Sequence, residues 1–146
     1  MIEVICNLLD QRALDSGLIS ECLERNITVL ARLPLCAGFL SGAYRSGHRF
    51  GPGDRRARWS HDQVSRWAGA TEDLGRALGE DRPLVQMAIR FLLACPGVVP
   101  IPGAKSRAQF EDLMTAARAG PLDQDGDDFG IVRRMWHERF RMLPPG

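Results

Sequence analysis

The residues best suited to bind a ligand lie in the stretch from Val98 to Asp112. A short run rich in β-branched residues ends there at Pro102-Gly103, and the basic turn Ala104-Lys105-Ser106 then precedes a helix. Backbone N–H groups at the start of a helix, beside a cationic side chain, can bind a phosphate group. Without an anion Lys105 would be poorly placed, because the first turn of a helix carries partial positive charge. A solvated lysine is the alternative, and the position of Lys105 favours phosphate binding over it.

No other arrangement of side chains indicates a catalytic or metal-binding motif. The only tyrosine is Tyr44, and the three histidines, His48, His61 and His137, share no ligand spacing. A zinc site is therefore not expected, and neither a G-x-S-x-G nor an H-E-x-x-H motif occurs. We predict no catalytic and no metal-binding residues in this sequence.

The four cysteines are expected to be part of the core. Cys6, Cys22, Cys36 and Cys95 are far apart and form no C-x-x-C pair, so a zinc or redox motif is not indicated. Each has apolar neighbours. We predict buried, reduced thiols that pack as small hydrophobic side chains.

A basic cluster follows a glycine-rich connection. Arg55, Arg56 and Arg58 precede Trp59, a combination that could contact nucleic acid. The formal net charge is only +1, however, with a pI near 7.7, and a near-neutral protein has no general attraction for nucleic acid. We therefore predict a solvated loop and no nucleic-acid partner.

The length and composition are those of one globular domain spanning residues 1–146. The sequence is 45% hydrophobic and 25% charged, which suits a soluble protein with a sizeable core. No apolar run is long enough to span a bilayer, and the N-terminus shows no secretory signal. We predict a cytoplasmic protein with no membrane partner.

The apolar pattern predicts an α/β chain. Nearly continuous apolar runs indicate strands at 2–6, 27–33 and 98–101. Apolar residues at helical spacing predict a helix over about 14–23, capped by Asp15 or Ser16, and helices over about 60–78, 83–94, 106–117 and 129–142. Pro83 is expected in a first turn. Three strands in one sheet leave two open edges, which another element or subunit must cover.

In this order the segments resemble the C-terminal half of the aldo-keto reductases, which are (β/α)8 barrels of roughly 250 residues or more. The stretch 2–12 resembles their sixth strand and its loop, and 27–42 the seventh strand and the loop along the cofactor pyrophosphate. The stretch 84–97 resembles the helix before the eighth strand, and 99–106 that strand with its phosphate loop. The resemblance implies a partial (β/α)8 TIM barrel of about three parallel strands with covering helices. It also implies an NADP(H)-dependent oxidoreductase.

The resemblance implies weak binding of NADP(H) by two loops. The loop after the seventh strand would hold the pyrophosphate, and the loop after the eighth strand would hold the 2′-phosphate and adenosine. Gly38 either lets the backbone approach the cofactor closely or relieves strain in the loop. The residues implied to bind the cofactor are Arg32, Pro34, Leu35, Ala37, Gly38, Leu40, Gly103, Ala104, Lys105, Gln109 and Asp112.

Four positions depart from the family pattern. Arg32 replaces an aromatic residue that often stacks on the nicotinamide, and Glu3 stands where a glutamine commonly binds the carboxamide. Cys6 replaces a tyrosine, and Leu113 replaces an asparagine near the adenine. Because Glu3 and Arg32 would lie on adjacent parallel strands, an ion pair between them is the alternative to a role in binding.

The resemblance does not extend to the chemistry of carbonyl reduction. Hydride transfer to a carbonyl needs an acid for the developing alkoxide, and the family uses a tyrosine with a lysine, a carboxylate and a histidine. All four belong to its N-terminal half, and Tyr44 matches a non-catalytic position. We therefore expect no carbonyl reduction by this chain alone.

Three alternatives to a reductase remain. The first is a non-catalytic binding or assembly module that uses the edge of the half-barrel to associate with itself or with a complementary half-barrel. The second is a non-redox enzyme that reuses the cleft, with Glu3 and Arg32 as its polar groups. The third is a fragment of a disrupted gene.

Overall fold

The computed structural model describes residues 1–79 and 81–144, in which strands alternate with helices. The strands are β1 (Ile2–Ile5), β2 (Val29–Arg32) and β3 (Val98–Pro100). The helices are α1 (Arg12–Asp15), α2 (Leu18–Glu24), α3 (His61–Leu78), α4 (Leu84–Leu93), α5 (Arg107–Ala119) and α6 (Asp127–Met135). Short 3₁₀ turns, Cys36–Ser41 and Arg55–Arg58, lie between β2 and α3, and a π-helical turn, Trp136–Phe140, follows α6.

The three strands form one parallel sheet in the order β1-β2-β3. The prediction of three parallel strands with covering helices is confirmed, although β2 is shorter than the predicted 27–33. It ends at Arg32 because Leu33 has a φ of 50°, which lies outside the extended region. The carbonyl of Leu33 instead accepts a hydrogen bond from the side chain of Asn7.

Helices cover one face of the sheet and leave the other face open. Side chains alternate between the two faces of a strand, and Ile2 and Val4 share a face with their register partners Val29 and Ala31. Val29 and Ala31 are fully buried, and Val98 beside Val29 is nearly so. The core therefore lies between the sheet and its helices, with α4 in contact with both β3 and α5.

The helix predicted over 14–23 is divided into α1 and α2. Gly17 separates them with a φ of 76°, a left-handed conformation that interrupts a helix. Neither Asp15 nor Ser16 caps α2 as predicted, because Asp15 is the last residue of α1 and Gly17 holds the cap position. The Asp15 carboxylate instead forms an ion pair with Arg133.

The other helices begin and end close to their predicted limits. Ser60 caps α3 and Ser106 caps α5, each accepting a hydrogen bond from the N–H three residues later. Pro83 is the cap residue of α4 and does not lie in its first turn. The last helix begins at Asp127, two residues early, because Gly126 caps it and carboxylates suit the positive end of the helix dipole. Within the described residues no helix is long and apolar enough to cross a membrane.

The cysteines are buried free thiols, as predicted. Cys6, Cys22, Cys36 and Cys95 form no disulfide with one another. Burial raises the pKa of Cys6 and Cys36 to about 12 and the pKa of Cys95 to about 11. These three thiols therefore stay protonated at neutral pH and pack as hydrophobic groups.

Candidate functional site

The loop after β2 has an unusual backbone conformation. Leu33, Cys36 and Ala37 have φ values of 50°, 47° and 52°, and Gly38 follows at 97°. A left-handed residue that carries a Cβ atom costs on the order of 1–3 kcal/mol and persists only where its surroundings fix it. The loop therefore has one defined shape, which suits a segment that presents backbone groups to a ligand.

Arg56 fixes this loop from one side. Its guanidinium donates hydrogen bonds to the Ala37 carbonyl at 2.8 Å and to the Tyr44 hydroxyl at 2.9 Å. The same group pairs with Asp54 at 2.7 Å and lies 4.8 and 4.3 Å from the ring centres of Tyr44 and Phe50. These contacts combine a charged pair with cation–π interactions, and they explain how the strained loop is held.

The prediction of a solvated loop is wrong for one of the three clustered arginines. The Arg56 side chain is only 16% exposed, whereas Arg55 and Arg58 are exposed. Hydrogen bonds from Arg56 hold the pKa of Asp54 well below its usual range, so the pair stays charged at neutral pH. Sequence reasoning missed Asp54, and the acid–x–Arg spacing beside a glycine-rich loop is the signal that could have indicated it.

The second part of the site is the turn before α5. Ser106 caps the helix, and the side-chain oxygen of Gln109 accepts a hydrogen bond from the Lys105 N–H at 2.8 Å. The N–H groups of Arg107 and Ala108 have no intrahelical acceptor, as at the start of any helix. Lys105 is the only lysine in the chain. Within residues 1–79 and 81–144 it forms no ion pair.

The two loops lie side by side. After the larger effect of Arg56, the charge of Lys105 also contributes to the low pKa of Asp54, which places Lys105 near the arginine-held loop. Leu35 of that loop packs on the apolar cluster that joins α4 to α5. Leu113 belongs to the same cluster, so this departure from the family pattern contributes to packing. The structure therefore brings together the two segments that the sequence assigns to one ligand.

The residues predicted to contact the cofactor fall into three groups by exposure. The exposed residues are Arg32, Gly103, Ala104, Lys105, Gln109 and Asp112. Leu35, Ala37 and Gly38 are half-buried, and Pro34 and Leu40 are buried. The side chains of Pro34 and Leu40 belong to the interior, so these two residues can offer a ligand backbone groups only.

Gly38 is required by the loop itself. Its φ is 97°, and a Cβ atom at this position would lie 3.1 Å from the Tyr44 ring. Both the conformation and the close approach of Tyr44 exclude a larger side chain without strain. Of the two interpretations of Gly38, relief of backbone strain is therefore the one that has a direct structural reason.

Arg32 and Glu3 form an ion pair on the open face of the sheet. Their closest N–O distance is 3.9 Å, and their side chains are 53% and 57% exposed. This is the ion pair that the sequence offered as the alternative to cofactor contact. An exposed pair of this kind is worth at most about 1 kcal/mol, so neither side chain is firmly held. Binding of the cofactor by Arg32 stays a prediction.

A narrow cleft opens at the carboxyl ends of β1 and β2, the end at which (β/α)8 barrels place their active sites. It encloses about 320 Å³ including its open mouth, and its walls include Leu33, Ala37 and Trp59. The polar groups at its floor are engaged in structure: Asn7 bonds to Leu33, and the carboxylate of Asp10 pairs with Arg12. The cleft therefore offers a ligand shape and apolar contact more than chemistry.

The histidines do not converge on this cleft. His48 packs on Tyr44 with ring centres 4.8 Å apart, His61 begins α3, and His137 lies beside Asp15. In the described part of the chain, no group of three or more His, Cys, Asp or Glu residues could hold a metal ion.

Comparison with known proteins places the whole arrangement in one family. The profile of the aldo/keto reductase family matches residues 1–134. The aldo-keto reductase yakc of Schizosaccharomyces pombe, whose name specifies NADP(+), is 32% identical over 107 residues, which are 70% of this chain and 32% of that protein.

Solved structures show the same fold. The glycerol dehydrogenase AKR11B4 of Gluconobacter oxydans superposes on 99% of this chain and 43% of its own, with a TM-score of 0.78 and 18% identity. The aldo-keto reductase AKR11C1 of Bacillus halodurans, in its holo form, covers 91% of this chain and 41% of its own, with a TM-score of 0.62 and 22% identity. The fold is therefore a partial (β/α)8 barrel, and the chain spans about a third to two fifths of the length of these relatives.

Proposed function

The chain belongs to the aldo/keto reductase family, and we propose that it binds the 2′-phosphate end of NADP(H) weakly and does not reduce carbonyls alone. The observation that carries the proposal is the turn before α5, where the only lysine in the sequence stands at a helix start. An anion there would remove the unfavourable interaction between Lys105 and the positive end of the helix dipole.

The residues present fit the adenosine half of the cofactor. Lys105 and the N–H groups of Arg107 and Ala108 would hold the 2′-phosphate. The exposed side chains of Gln109 and Asp112, one helical turn apart, would meet the adenine. The loop held by Arg56 would offer backbone groups to the pyrophosphate. Bound NADPH would supply a hydride, whereas this chain supplies binding and orientation.

The nicotinamide half is the weaker part of the proposed site. Glu3 and Arg32 lie there on an open sheet face and are more than half exposed. A ligand contacted at one end only must still order its own rotatable bonds, which lowers its affinity. We therefore expect the affinity to depend on the 2′-phosphate and hardly at all on the nicotinamide.

Substitution of Lys105 by alanine is expected to weaken NADPH binding by about 1–3 kcal/mol, the usual range for a charge-assisted hydrogen bond. That range corresponds to roughly 5- to 150-fold in Kd. Calorimetric titration of the variant and the parent chain measures the difference directly. In the same experiment NADH should bind more weakly than NADPH, and 2′-phospho-AMP nearly as tightly as NADPH.

Arg118→Ala is the matched control for this titration. Arg118 is exposed in the last turn of the same helix, so the substitution removes an equal charge at the opposite end. Its effect on NADPH affinity should be small. Equal affinity for NADPH and NADH, or equal losses in the two variants, would contradict specific recognition of the 2′-phosphate by Lys105.

Because Lys105 is the only lysine, its amine can also be followed by selective acylation. NADPH and 2′-phospho-AMP should slow modification of Lys105, and NADH should protect it less. The N-terminal amine in the same sample is an internal reference, and equal protection of both amines would point to a nonspecific effect.

We expect no NADPH-dependent reduction of a simple aldehyde by the purified chain. The hydroxyl of Tyr44 accepts a hydrogen bond from Arg56 and packs beside Gly38, so its role is to support the loop. Absorbance of NADPH, followed with and without aldehyde, measures the reaction. Turnover that disappears in the Tyr44→Phe variant would contradict the expectation and make Tyr44 an acid.

A further inference from the structure

The face of the sheet that helices do not cover carries both apolar and charged side chains. By the alternation of side chains and the strand register, this open face consists of Glu3, Ile5, Leu30, Arg32, Val99 and Ile101. Val99 and Ile101 are 46% and 41% exposed, whereas the helix-covered Val29 and Ala31 are fully buried. The difference between the two faces is that of a sheet with one partner layer still to be added.

We propose that this open face binds the open face of a second copy of the chain, so that two sheets pack between two layers of helices. Pairs of sheets pack about 10 Å apart through interdigitated side chains. The apolar residues Ile5, Leu30, Val99 and Ile101 would form the interior of that contact.

The charges of the face favour a second copy as the occupant. The open face carries one acid and one base on neighbouring strands, 3.9 Å apart, so its formal charge is zero. A two-fold axis in the plane of the contact, running between β1 and β2, would place Glu3 of each copy opposite Arg32 of the other. The same surface then supplies both halves of two reciprocal ion pairs, as an isologous interface requires.

Other occupants fit this surface less well. A nucleic acid or an anionic membrane needs several cations of one sign, and the open face holds one, with an acid beside it. A complementary half-barrel would meet the same apolar residues, but nothing about a single acid–base pair selects it over a second copy. The proposal is independent of cofactor binding, because the Lys105 turn lies outside the open face.

The first experiment measures mass against concentration for the 146-residue chain by light scattering and sedimentation. The mass should rise from 16.2 kDa to twice that value and no further. Val99→Asp should shift the midpoint of this rise to at least tenfold higher concentration. The control is Leu18→Asp, which changes an equally apolar residue that is 39% exposed on α2 and should leave the midpoint unchanged.

The second experiment uses charge reversal and separates a specific contact from loss of folding. E3K gives the face two cations, and R32E gives it two anions, so each variant alone should remain monomeric. Mixed in equal amounts, the two variants should form a heterodimer, because each cation then meets an anion across the two-fold axis. Circular dichroism of each variant confirms that it is folded.

Several results would overturn the proposal. They are a monomeric parent chain at all concentrations, association that Val99→Asp and Leu18→Asp affect equally, and charge-reversed variants that stay apart when mixed. A parent chain that is monomeric alone, but binds the first five strand–helix units of a family barrel, would assign the open face to a complementary half-barrel instead.

Discussion

Substitution of Phe39 by alanine is expected to lower the free energy of unfolding by about 3–5 kcal/mol, the range for removing a buried aromatic ring. Phe39 is fully buried. Its ring centre lies 5.4–6.3 Å from those of Tyr44, Phe50, Trp59 and Trp67, so the substitution leaves a cavity and also removes edge-on aromatic contacts. Urea denaturation followed by tryptophan fluorescence and by circular dichroism measures the loss.

The control for this substitution is Phe110→Ala. Phe110 is 56% exposed on α5, so loss of its ring should cost well under 1 kcal/mol. Phe39→Leu should retain part of the stability, because it keeps much of the buried volume. Equal losses at positions 39 and 110 would contradict the view that the aromatic cluster supports the loop after β2.

The effect at Phe39 should extend to ligand binding. Phe39 lies in the 3₁₀ turn that begins at Cys36, and the strained residues Cys36 and Ala37 immediately precede it along the chain. Loosening that anchor lets the strained residues relax, so NADPH affinity should fall even in buffer where the variant is still folded. Phe110→Ala should change both stability and affinity little.

The order of the elements was predictable from the sequence because it depends on local patterns. Continuous apolar runs mark the buried strands, and Ser60 and Ser106 mark helix starts by their ability to accept a backbone hydrogen bond. The family was predictable because four such segments occur in the right order. The cytoplasmic location and the contacts to the cofactor remain predictions.

What the sequence did not reveal depends on contacts between distant residues. Arg56 belongs to a cluster of arginines that has the composition of a solvated loop. Its burial follows from Tyr44, twelve residues earlier, and from the carbonyl of Ala37, nineteen residues earlier. Likewise the helix over 14–23 is interrupted because Asp15 is needed by Arg133, far along the chain.

Substitution of Asp15 by alanine is expected to lower the free energy of unfolding by about 3 kcal/mol. Arg133 approaches its carboxylate at 2.9 Å, the Trp136 indole N–H donates to it at 2.7 Å, and His137 and Arg141 lie within 3.7 Å. Removing one partner leaves the others with unsatisfied groups, which costs about 3–5 kcal/mol when the pair is fully buried. The lower end applies because the side chain of Arg133 is 27% exposed.

The matched control is Glu21→Ala, which removes the acid of an exposed pair with Arg25 in α2. Those side chains are 54% and 69% exposed, so the expected loss is below 1 kcal/mol. Urea midpoints for the two variants and the parent chain make the comparison. Similar losses at Asp15 and Glu21 would show that the C-terminal helix does not depend on this carboxylate.

The Asp15 contacts also predict how stability depends on pH. Partial burial opposes ionisation, but hydrogen bonds from Trp136 and Arg133 outweigh it and hold the pKa of Asp15 below its ordinary value. A carboxylate with a lower pKa in the folded state contributes fully above the unfolded value, near 4. That contribution disappears as the pH falls through the folded pKa.

Urea midpoints measured from pH 7 to pH 3 test this directly. The parent chain should lose stability more steeply below about pH 4 than Asp15→Asn, because the amide cannot take up the proton whose binding weakens the folded state. The asparagine variant keeps the size of the side chain and an oxygen for the Trp136 N–H, so the difference in slope isolates the charge. Parallel curves for the two chains would mean that the charge of Asp15 adds nothing to what its hydrogen bonds supply.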